Sequence, residues 1–532
     1  MIFIFSHAWA QDAPEADDEA VVVTGTRTER PLGESPVAVE VLTAEDIART
    51  GSVDVSDALE SQPGVEIVRD YLGATIRLRG MDPDQVLVLV DGQRLVGQTG
   101  GAADLSRIPV EEIERIEVVK GPASALYGAD AVGGVVQIFT RSARRPSLSA
   151  NARGGTIGNL DGSVSGSTGR RGIWGARLTG GWHHAPAIDR TPDTVATSLD
   201  SKRIADVGGR VDAAPNPDLT VPVTFSYSGT VTSGISSSPA GAVIDRTNAT
   251  EDARVMLQPS LTGERSRTGA HLGVSAFRDQ YRSDQREGDE DALELTTERL
   301  LQGGLQRDQV AGPHVVSFGA EGAWEHLVSD RIGPGSADRQ WGAVYAQDEW
   351  KVVDHLVAVP SARVDADSWY GVVPTPRLAL RADPTSTLTL RGTAGTSYRA
   401  PRFRELLLRF DNPGVGYRVE GNPDLRPEHT FTVDAAVEWV PSTVASVAAS
   451  GWWSPTRDLI DLGGAQLGTD GATVYQYVNV REALIRGFEV GGTLDPTERL
   501  GFTAGYTFTD ARDRATGERL LGRAAHRITG RA

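Results

Sequence analysis

The feature that most constrains this chain is a repeated alternation of apolar and polar residues with a period of two, which begins near Arg145. In one such segment Trp174 and Trp182 belong to the apolar set, whereas Arg177 and His183 belong to the polar set. Successive side chains of a strand point to opposite faces, so an Arg in the polar set requires that face to meet water. Trp at both ends of the apolar set is typical of a strand that crosses two membrane interfaces. The pattern therefore favours an antiparallel transmembrane β-barrel. The alternative is a soluble β domain, whose strands also alternate apolar and polar residues.

The same alternation recurs further along the chain, at Val223–Tyr227, Leu388–Tyr398 and Phe502–Phe508. The segments between such strands are of two kinds. Long segments that are charged or rich in Gly and Pro are predicted to be extracellular loops: Asp279–Asp291 and Arg409–Asn422. Short turn signals at residues 383–385, 441–442 and 495–497 suit the periplasmic ends.

Composition excludes several classes of protein. No run of about 18 apolar residues occurs, which excludes membrane-spanning helices. The chain has no Cys, so it has no disulfide framework and no thiol chemistry. Its net charge is −18 and Lys occurs only at positions 120, 202 and 351. There is thus no basic domain for nucleic acid, and the dispersed acidity suits solvated loops and a hydrated lumen.

The N-terminus resembles the end of a secretory signal. Met1–Phe5 is apolar, and Ala8-Trp9-Ala10 has the small-x-small pattern of a cleavage site. We expect residues 1–10 to be a signal remnant, with the true start of the signal further upstream. Residues 11–30 are expected to form a flexible leader, because their first part is acidic and contains Pro and Ala.

A β-branched segment follows the acidic part of this leader. Its composition suits the addition of a strand to the sheet edge of a partner, although an ordinary first strand of the next domain would look the same. The segment comprises Glu19, Ala20, Val21, Val22, Val23 and Thr24.

Residues 31–142 are predicted to form a small α/β domain. Thr43 is expected to cap a helix over Ala44–Thr50, and Asp91-Gly92 is a hairpin signal. Val110–Ile116 places Ile113 and Ile116 three residues apart, which predicts a short amphipathic turn or helix. The remaining predicted elements are a helix at Asp54–Gln62, strands at Val37–Leu42, Val65–Val68, Thr75–Leu78, Val86–Val90 and Glu117–Lys120, and a β-rich run at Val135–Thr140. Glycines at positions 128, 133 and 134 are predicted to permit tight turns and close backbone approach.

This domain resembles the plug of TonB-dependent outer-membrane receptors, and the resemblance extends over nearly the whole chain. Its strongest part is Asp104–Arg141, which includes Gly121-Pro122-Ala123-Ser124-Ala125-Leu126-Tyr127-Gly128. Other motifs follow the family in order and spacing: Pro63-Gly64-Val65, Ile76–Met81, Gln85–Gly92, Tyr398-Arg399-Ala400-Pro401 and Gly421–Glu428. The resemblance implies a mainly β fold: a transmembrane antiparallel β-barrel (143–532) with an N-terminal α/β plug domain (31–142) in its lumen, in the outer membrane of a Gram-negative bacterium.

The family barrel has 22 strands, and the segment after the plug is short for that number. We therefore expect this sequence to lack roughly four strands at its C-terminus, because an open barrel would leave unpaired backbone groups in lipid.

The resemblance also implies partners. The segment from Glu19 to Thr24 resembles the TonB box, so TonB, energised by ExbB and ExbD, is the expected partner. The leading expected ligand is a ferric siderophore. Cobalamin is second, because residues 101–106 also resemble the plug apex of cobalamin receptors. Haem is third, because the plug has no His.

Ligand contacts are predicted only from topology. The plug apices supply Tyr71, Met81, Gln98 and Thr99, each of which could instead touch only the barrel wall. Arg399 lies in the inward register of its strand, where it suits anionic oxygens or, alternatively, pairs with a plug or loop carboxylate.

We predict no catalytic residue, metal ligand or cofactor, because no nucleophile elbow, phosphate loop or metal-ligand cluster is present. A passive porin-like barrel or adhesin is the alternative outside the transporter class, and both the plug and the predicted box argue against it.

Overall fold

The computed structural model describes residues 5–6, 21–70, 73–97, 102–191, 193–237, 241–288, 291–412, 417–468, 473–497 and 499–531. Within these ranges the strands form one 23-stranded sheet, one five-stranded sheet and two small two-stranded sheets. No helix in these ranges is long and apolar enough to cross a membrane.

The N-terminal elements are short, and most of them belong to the α/β domain. They are β1 (Phe5–Ser6), β2 (Val21–Val22), β3 (Arg30–Pro31), β4 (Val39–Thr43), α1 (Ala44–Thr50), α2 (Val55–Leu59), β5 (Val65–Asp70), β6 (Gly73–Leu78), β7 (Val86–Val90), β8 (Gln93–Arg94), β9 (Ile113–Lys120), α3 (Ser124–Tyr127) and β10 (Gly134–Thr140), with 3₁₀ turns at Leu32–Glu34, Pro83–Gln85, Leu105–Arg107 and Val110–Glu112.

The following elements are mostly long strands. They are β11 (Pro146–Gly154), β12 (Leu160–Thr168), β13 (Trp174–Ala185), β14 (Ser201–Ala213), β15 (Leu219–Ser237), β16 (Val243–Leu257), β17 (Ser260–Gly263), β18 (Ser266–Gln285), β19 (Ala292–Ala311), β20 (His314–Ser329), β21 (Ser336–Val353), β22 (Leu356–Asp367), β23 (Gly371–Thr385), β24 (Leu388–Arg399), α4 (Phe403–Leu407), β25 (Arg409–Asn412), β26 (Tyr417–Glu420), β27 (Glu428–Ser442), β28 (Ala445–Leu462), β29 (Gln466–Leu467), β30 (Thr473–Thr497), β31 (Leu500–Asp513) and β32 (His526–Arg531).

The large sheet is a meander in which most strands pair with their chain neighbours from β11 to β32. Strands β24 and β27 also pair directly, from Leu388 opposite Trp439 to Arg399 opposite Glu428. The connection between them, residues 400–427, therefore stands off the sheet edge as a long loop. At the opposite end the connections are tight, as at residues 312–313 and 386–387.

The faces of the strands carry the alternation that the sequence predicts. Trp174 and Trp182 are 53% and 46% exposed at the two ends of β13, whereas Thr179 and His183 between and beside them are buried. Eight residues of strand separate the two Trp side chains by roughly 26 Å, which matches the apolar band of an outer-membrane barrel. The polar set faces inward, and Arg177 donates there to Ser165 Oγ at 2.9 Å.

The α/β domain is built on a mixed sheet in the order β4-β9-β10-β7-β8. Strand β7 is apolar throughout because both of its faces are covered: Val86 and Val88 pack into one buried cluster, and Leu87 and Leu89 into another. Asp91 and Gly92 both have positive φ, 49° and 82°, in the tight turn from β7 to β8. The hairpin signal at this dipeptide is thus confirmed.

Two other local predictions are confirmed. Thr43 caps α1, and its side chain and that of Asp46 form a reciprocal capping box. Gly134 has a φ of +148°, and a Cβ there would lie 2.1 Å from the carbonyl oxygen of Val119 on the neighbouring strand. Only glycine permits this approach.

The prediction of a turn or helix over Val110–Ile116 is wrong beyond Glu112. Ile113 opens strand β9, and both Ile113 and Ile116 are buried. In the ladder with β10, Thr140 pairs with Ile113 and Phe139 with Arg115, so Glu114 is an extra residue in a β-bulge. The bulge turns two residues at a spacing of three toward the same core.

The α/β domain lies inside the curve of the large sheet, so it is a plug in the barrel lumen. Its residues bond to inward-facing side chains on widely separated strands. Gln85 Nε2 donates to Glu428 of β27 at 2.6 Å, and the Gly64 amide donates to Thr507 of β31 at 3.1 Å. In the segment that precedes the domain, Arg27 pairs with Glu321 of β20 at 2.9 Å. Polar contacts on several sides hold the plug.

Candidate functional site

A cavity of about 390 Å³ lies on the side of the plug that faces the long loop 400–427. The β7–β8 edge of the plug forms its floor, strands β18 to β21 form one wall, and the loop with α4, β25 and β26 forms the other. The volume is within the range of small-molecule sites.

The polar lining of the cavity is predominantly basic. The wall contains five arginines and three acids: Arg94, Arg331, Arg339, Arg402 and Arg404, with Asp130, Glu298 and Glu325. Guanidinium groups bind carboxylate and catecholate oxygens through several donors at once. The lining thus suits an anionic ligand.

Arg402 has unused donors at this cavity. Its Nη2 donates to the carbonyl oxygen of Asp84 at 3.1 Å and lies 3.8 Å from the Asp130 carboxylate. Its Nε and Nη1 are buried and have no hydrogen-bond partner among the described residues. A buried donor without a partner costs free energy, so an anion that bonds to Arg402 would remove an existing penalty.

Two other arginines are fixed by carboxylates at the outer rim. Arg331 contacts Glu294 at 2.5 Å and lies over the ring of Tyr281 at 5.3 Å. Arg339 contacts Asp367 at 2.7 Å and lies 5.6 Å from the centroid of the Tyr370 ring. Such pairs hold the positive charges in place before a ligand arrives.

Aromatic rings complete the cavity. Phe410 and Tyr417 of the β25–β26 hairpin lie 6.2 Å apart, and Tyr417 meets Tyr475 of β30 edge-on at 6.1 Å. Tyr370, which lies next to Arg339, donates its hydroxyl to the carbonyl oxygen of Pro401 at 3.1 Å. Burial raises the pKa of Tyr370 well above its usual range. Rings next to cations can stack on a planar ligand while the arginines bind its oxygens.

Arg399 lies below this cavity and points inward, as its register predicts, but it is fully buried. Its guanidinium contacts Asp84 of the plug at 2.9 Å, Glu405 of α4 at 2.9 Å and Glu428 of β27 at 2.7 Å. This is the arrangement of the alternative interpretation, in which Arg399 pairs with plug and loop carboxylates. The Arg399 guanidinium thus links the plug, the loop and the barrel. A role of Arg399 in ligand binding stays a prediction.

The other predicted ligand contacts are less open to a ligand or are not described. Met81 is 3% exposed and packs against Val132, Ile485 and Ala511 between plug and wall. It therefore touches the barrel wall in this state, as its alternative interpretation states. Tyr71, Gln98 and Thr99 lie outside the described residues.

The segment predicted to be a TonB box lies deep against the plug. Glu19 and Ala20 are outside the described residues, whereas Val21 and Val22 pair with Pro31 and Arg30 as strands β2 and β3. The Glu117 carboxylate of β9 accepts from the Val23 amide at 2.9 Å, from the Thr24 amide at 2.8 Å and from the Thr24 hydroxyl at 2.7 Å. The segment is thus anchored by one buried carboxylate.

Sequence reasoning missed all five arginines that line the cavity, and the one arginine that it proposed, Arg399, is not part of the lining. Arg402 and Arg404 lie in the segment Pro401–Phe410, which interleaves basic and aromatic residues directly after a strand. That composition at a loop was the available signal. Arg331 comes from the connection between β20 and β21 and Arg339 from β21 itself, and only the folded barrel brings them to the same cavity.

A barrel filled by a plug, with a basic and aromatic cavity on the outer side of the plug, defines a gated outer-membrane receptor. The chain belongs to the family of TonB-dependent receptors. A family model described as TonB dependent receptor-like, beta-barrel matches residues 139–530, and the TonB-dependent receptor plug domain matches residues 31–135. The protein is accordingly located in the outer membrane of a Gram-negative bacterium.

Known relatives agree with this assignment. The chain is 27% identical to the iron-regulated outer membrane virulence protein of Vibrio cholerae serotype O1 (strain ATCC 39315 / El Tor Inaba N16961), over 96% of this chain and 80% of that protein. Among solved structures, the siderophore receptor PirA of Pseudomonas aeruginosa is 21% identical with a TM-score of 0.74, over 89% of this chain and 85% of that one. A point mutant of the ferric enterobactin receptor PfeA from the same species is 20% identical with a TM-score of 0.79, over 96% and 84%. These structures share the fold.

Proposed function

We propose that this protein is a TonB-dependent active importer of a ferric siderophore. The observation that carries the proposal is the cavity with five arginines, three acids and several aromatic rings above the plug. Many ferric siderophores are anionic and carry planar chelating groups, so arginines and rings together fit their chemistry. The iron-regulated relative and the siderophore receptors named above support the same substrate class.

The proposal divides the chain by role. Residues 1–10 belong to a secretory signal, residues 11–30 are the leader with the TonB box, residues 31–142 are the plug, and residues 143–532 belong to the barrel. The box, Glu19 to Thr24, is the site at which TonB, energised by ExbB and ExbD, applies traction. Arg402 is the first proposed ligand contact, in addition to the apical residues predicted from the sequence.

The test compares binding of single ferric siderophores by the purified protein. Arg402→Ala removes a charged hydrogen-bond donor. A hydrogen bond to a charged group contributes about 1.5–3 kcal/mol, so we expect the dissociation constant of the siderophore to rise roughly 10- to 100-fold. The matched control is Arg286→Ala. Arg286 is an exposed loop residue that pairs with Asp245 at a distance of 2.7 Å, and it is not part of the cavity lining.

Growth of a receptor-deleted host that produces the protein completes the test. Iron-limited growth should recover with at least one ferric siderophore as sole iron source. Rescue by cobalamin under cobalamin limitation, with every siderophore ineffective, would replace the siderophore proposal by the cobalamin alternative.

A further inference from the structure

A second cavity, of about 440 Å³, lies on the other side of the β7–β8 hairpin, toward the tight-turn end of the barrel. Its lining includes Leu89 and Tyr127 of the plug, Gln258 and Tyr345 of the wall, and Arg27 of the N-terminal segment. We call it the inner chamber, and we call the ligand cavity above the plug the outer chamber.

The two chambers share two lining residues, Leu87 and Arg94. Arg94 ends the hairpin, and its side chain lies between them. Its Nη2 donates to the carbonyl oxygens of Tyr127 at 2.8 Å and Ala129 at 3.1 Å, and its Nη1 contacts Asp130 at 3.3 Å. Tyr127 lines the inner chamber and Asp130 lines the outer one. Arg94 therefore bonds to both sides of the boundary.

The barrel contributes the opposite half of this boundary. The Arg94 guanidinium lies over the ring of Trp341 of β21, 5.2 Å from its centroid. The Trp341 indole nitrogen donates to Glu325 of β20 at 3.3 Å. Trp341 lines the inner chamber and Glu325 lines the outer one. One side chain of the plug and one of the wall thus meet at the boundary between the chambers.

We propose that the two chambers are consecutive parts of one passage for the iron chelate, and that Arg94 and Trp341 form the partition between them. This inference rests on the proposed function as an importer. An anionic chelate that leaves the other four arginines of the outer chamber meets Arg94 as the last cation of that chamber, and it competes there with Asp130.

The partition can open by movement of side chains. Every bond of the Arg94 guanidinium to the plug goes to Tyr127, Ala129 or Asp130, which lie at or just after the end of α3 and outside the plug sheet. The ladder between Arg94 and Leu89 need not break. Val23 of the predicted box and Arg27, three residues after the end of the box, line the inner chamber, so traction on that segment would widen the passage below the partition.

The test measures conductance in KCl across planar bilayers that contain the protein. Arg94→Ala removes the plug half of the partition, and Trp341→Ala removes the wall half while the plug stays unchanged. Each variant is expected to show conductance steps above those of the wild type, because the narrowest part of the path limits ion flow. The matched control is Arg267→Ala: Arg267 lines the inner chamber alone and contacts Glu29 at 2.7 Å, so its removal should leave conductance at the wild-type level.

Folding of each variant is checked by heat-modifiable migration and circular dichroism. If both Trp341→Ala and Arg94→Ala fold and conduct no more than the wild-type protein, the proposal that the two chambers form one passage would be overturned. If the conductance of Arg267→Ala rose as much as that of the other two variants, the assignment of Arg94 and Trp341 as the partition would be overturned. Any loosening of the lumen would then be enough to raise the conductance. Because KCl is the probe, the result does not depend on which nutrient the protein carries. Failure of the siderophore proposal would be detected separately, by the binding and growth tests.

Discussion

At the scale of single residues, the charged side chains of the plug motifs fasten the plug to the barrel. Arg79 contacts Glu489 of β30 at 2.7 Å and Asp434 of β27 at 3.7 Å, and it lies over the Trp452 ring at 4.9 Å. Lys120 contacts the same Glu489 carboxylate at 3.5 Å. Burial raises the free energy of each charge, so the members of this cluster depend on one another.

Replacement of Arg79 by Ala leaves Glu489 and Asp434 with too little positive charge. Loss of one partner of a buried ion pair costs about 3–5 kcal/mol, and we expect that loss in the unfolding free energy of the detergent-solubilised protein, measured with denaturant. Arg69→Ala is the control, because Arg69 is 42% exposed in its pairs with Asp57 and Glu60. Exposed pairs contribute up to about 1 kcal/mol. Equal losses in the two variants would show that the plug does not depend on the buried cluster.

The role of an individual residue could be predicted from the sequence only where its partners are close to it in the chain. The inward orientation of Arg399 follows from its place in an alternating strand, and orientation is a local property. Its partners Asp84 and Glu428 are 315 and 29 positions away, and no local pattern reveals them. The cavity arginines have the same limitation, because Arg94, Arg331 and Arg402 come from three separate segments.

At the scale of secondary-structure elements, strand β9 shows where periodicity misleads. Its spacing of three between Ile113 and Ile116 is typical of a helix, yet a bulge at Glu114 produces the same spacing in a strand. By contrast, helix α1 was predictable because its cap, Thr43 with Asp46, is local.

In its proposed role as the TonB box, the N-terminal segment has to leave the position that it occupies in the structure. Val22 is 1% exposed and pairs with Arg30, while the Glu117 carboxylate holds the backbone of the next two residues. A strand that adds to the sheet edge of TonB must give up these bonds. The structure thus describes the segment in its docked position.

Val22→Pro should uncouple transport from binding. Proline removes the amide donor and fixes φ, so the segment cannot complete a ladder with TonB. We expect energised uptake of the iron chelate to be lost while binding at the cell surface persists at the wild-type level. Val22→Ile keeps the amide and the β-branched side chain, and it should transport normally. Wild-type uptake by Val22→Pro would contradict the assignment of the TonB box.

At the scale of the whole molecule, alternation predicted the barrel but not the length of its strands. Strand β18 continues through Asp279 to Gln285, and the segment Arg409–Asn422 contains the whole of strands β25 and β26. Both segments were predicted to be loops because they are charged or rich in Gly and Pro. At about 3.3 Å per residue the 20 residues of β18 extend roughly 66 Å, far beyond the apolar band. Polarity therefore marks where a strand leaves the membrane rather than where it ends.

The plug has a core of its own, separate from its bonds to the barrel. Leu59, Ile76, Ile116 and Val118 are among the buried residues of one cluster formed within residues 42–138. The bonds to the wall are mostly polar, as those of Gln85, Arg79 and Lys120 show. A domain with an internal apolar core and a polar surface has what it needs to fold in water.

We therefore expect residues 31–142, produced without the barrel, to be soluble and folded, with circular dichroism of a mixed α/β domain. They should not bind a ferric siderophore, because Arg331, Arg339 and Arg402 of the outer chamber belong to the barrel and its loops. The isolated plug should also be less stable than the intact protein, since Arg79 and Lys120 lose the Glu489 carboxylate. Val118→Asp, which places a charge in the core, is the control that should abolish folding. An isolated plug that is unfolded or insoluble would show that the barrel wall, rather than the plug's own core, determines its structure.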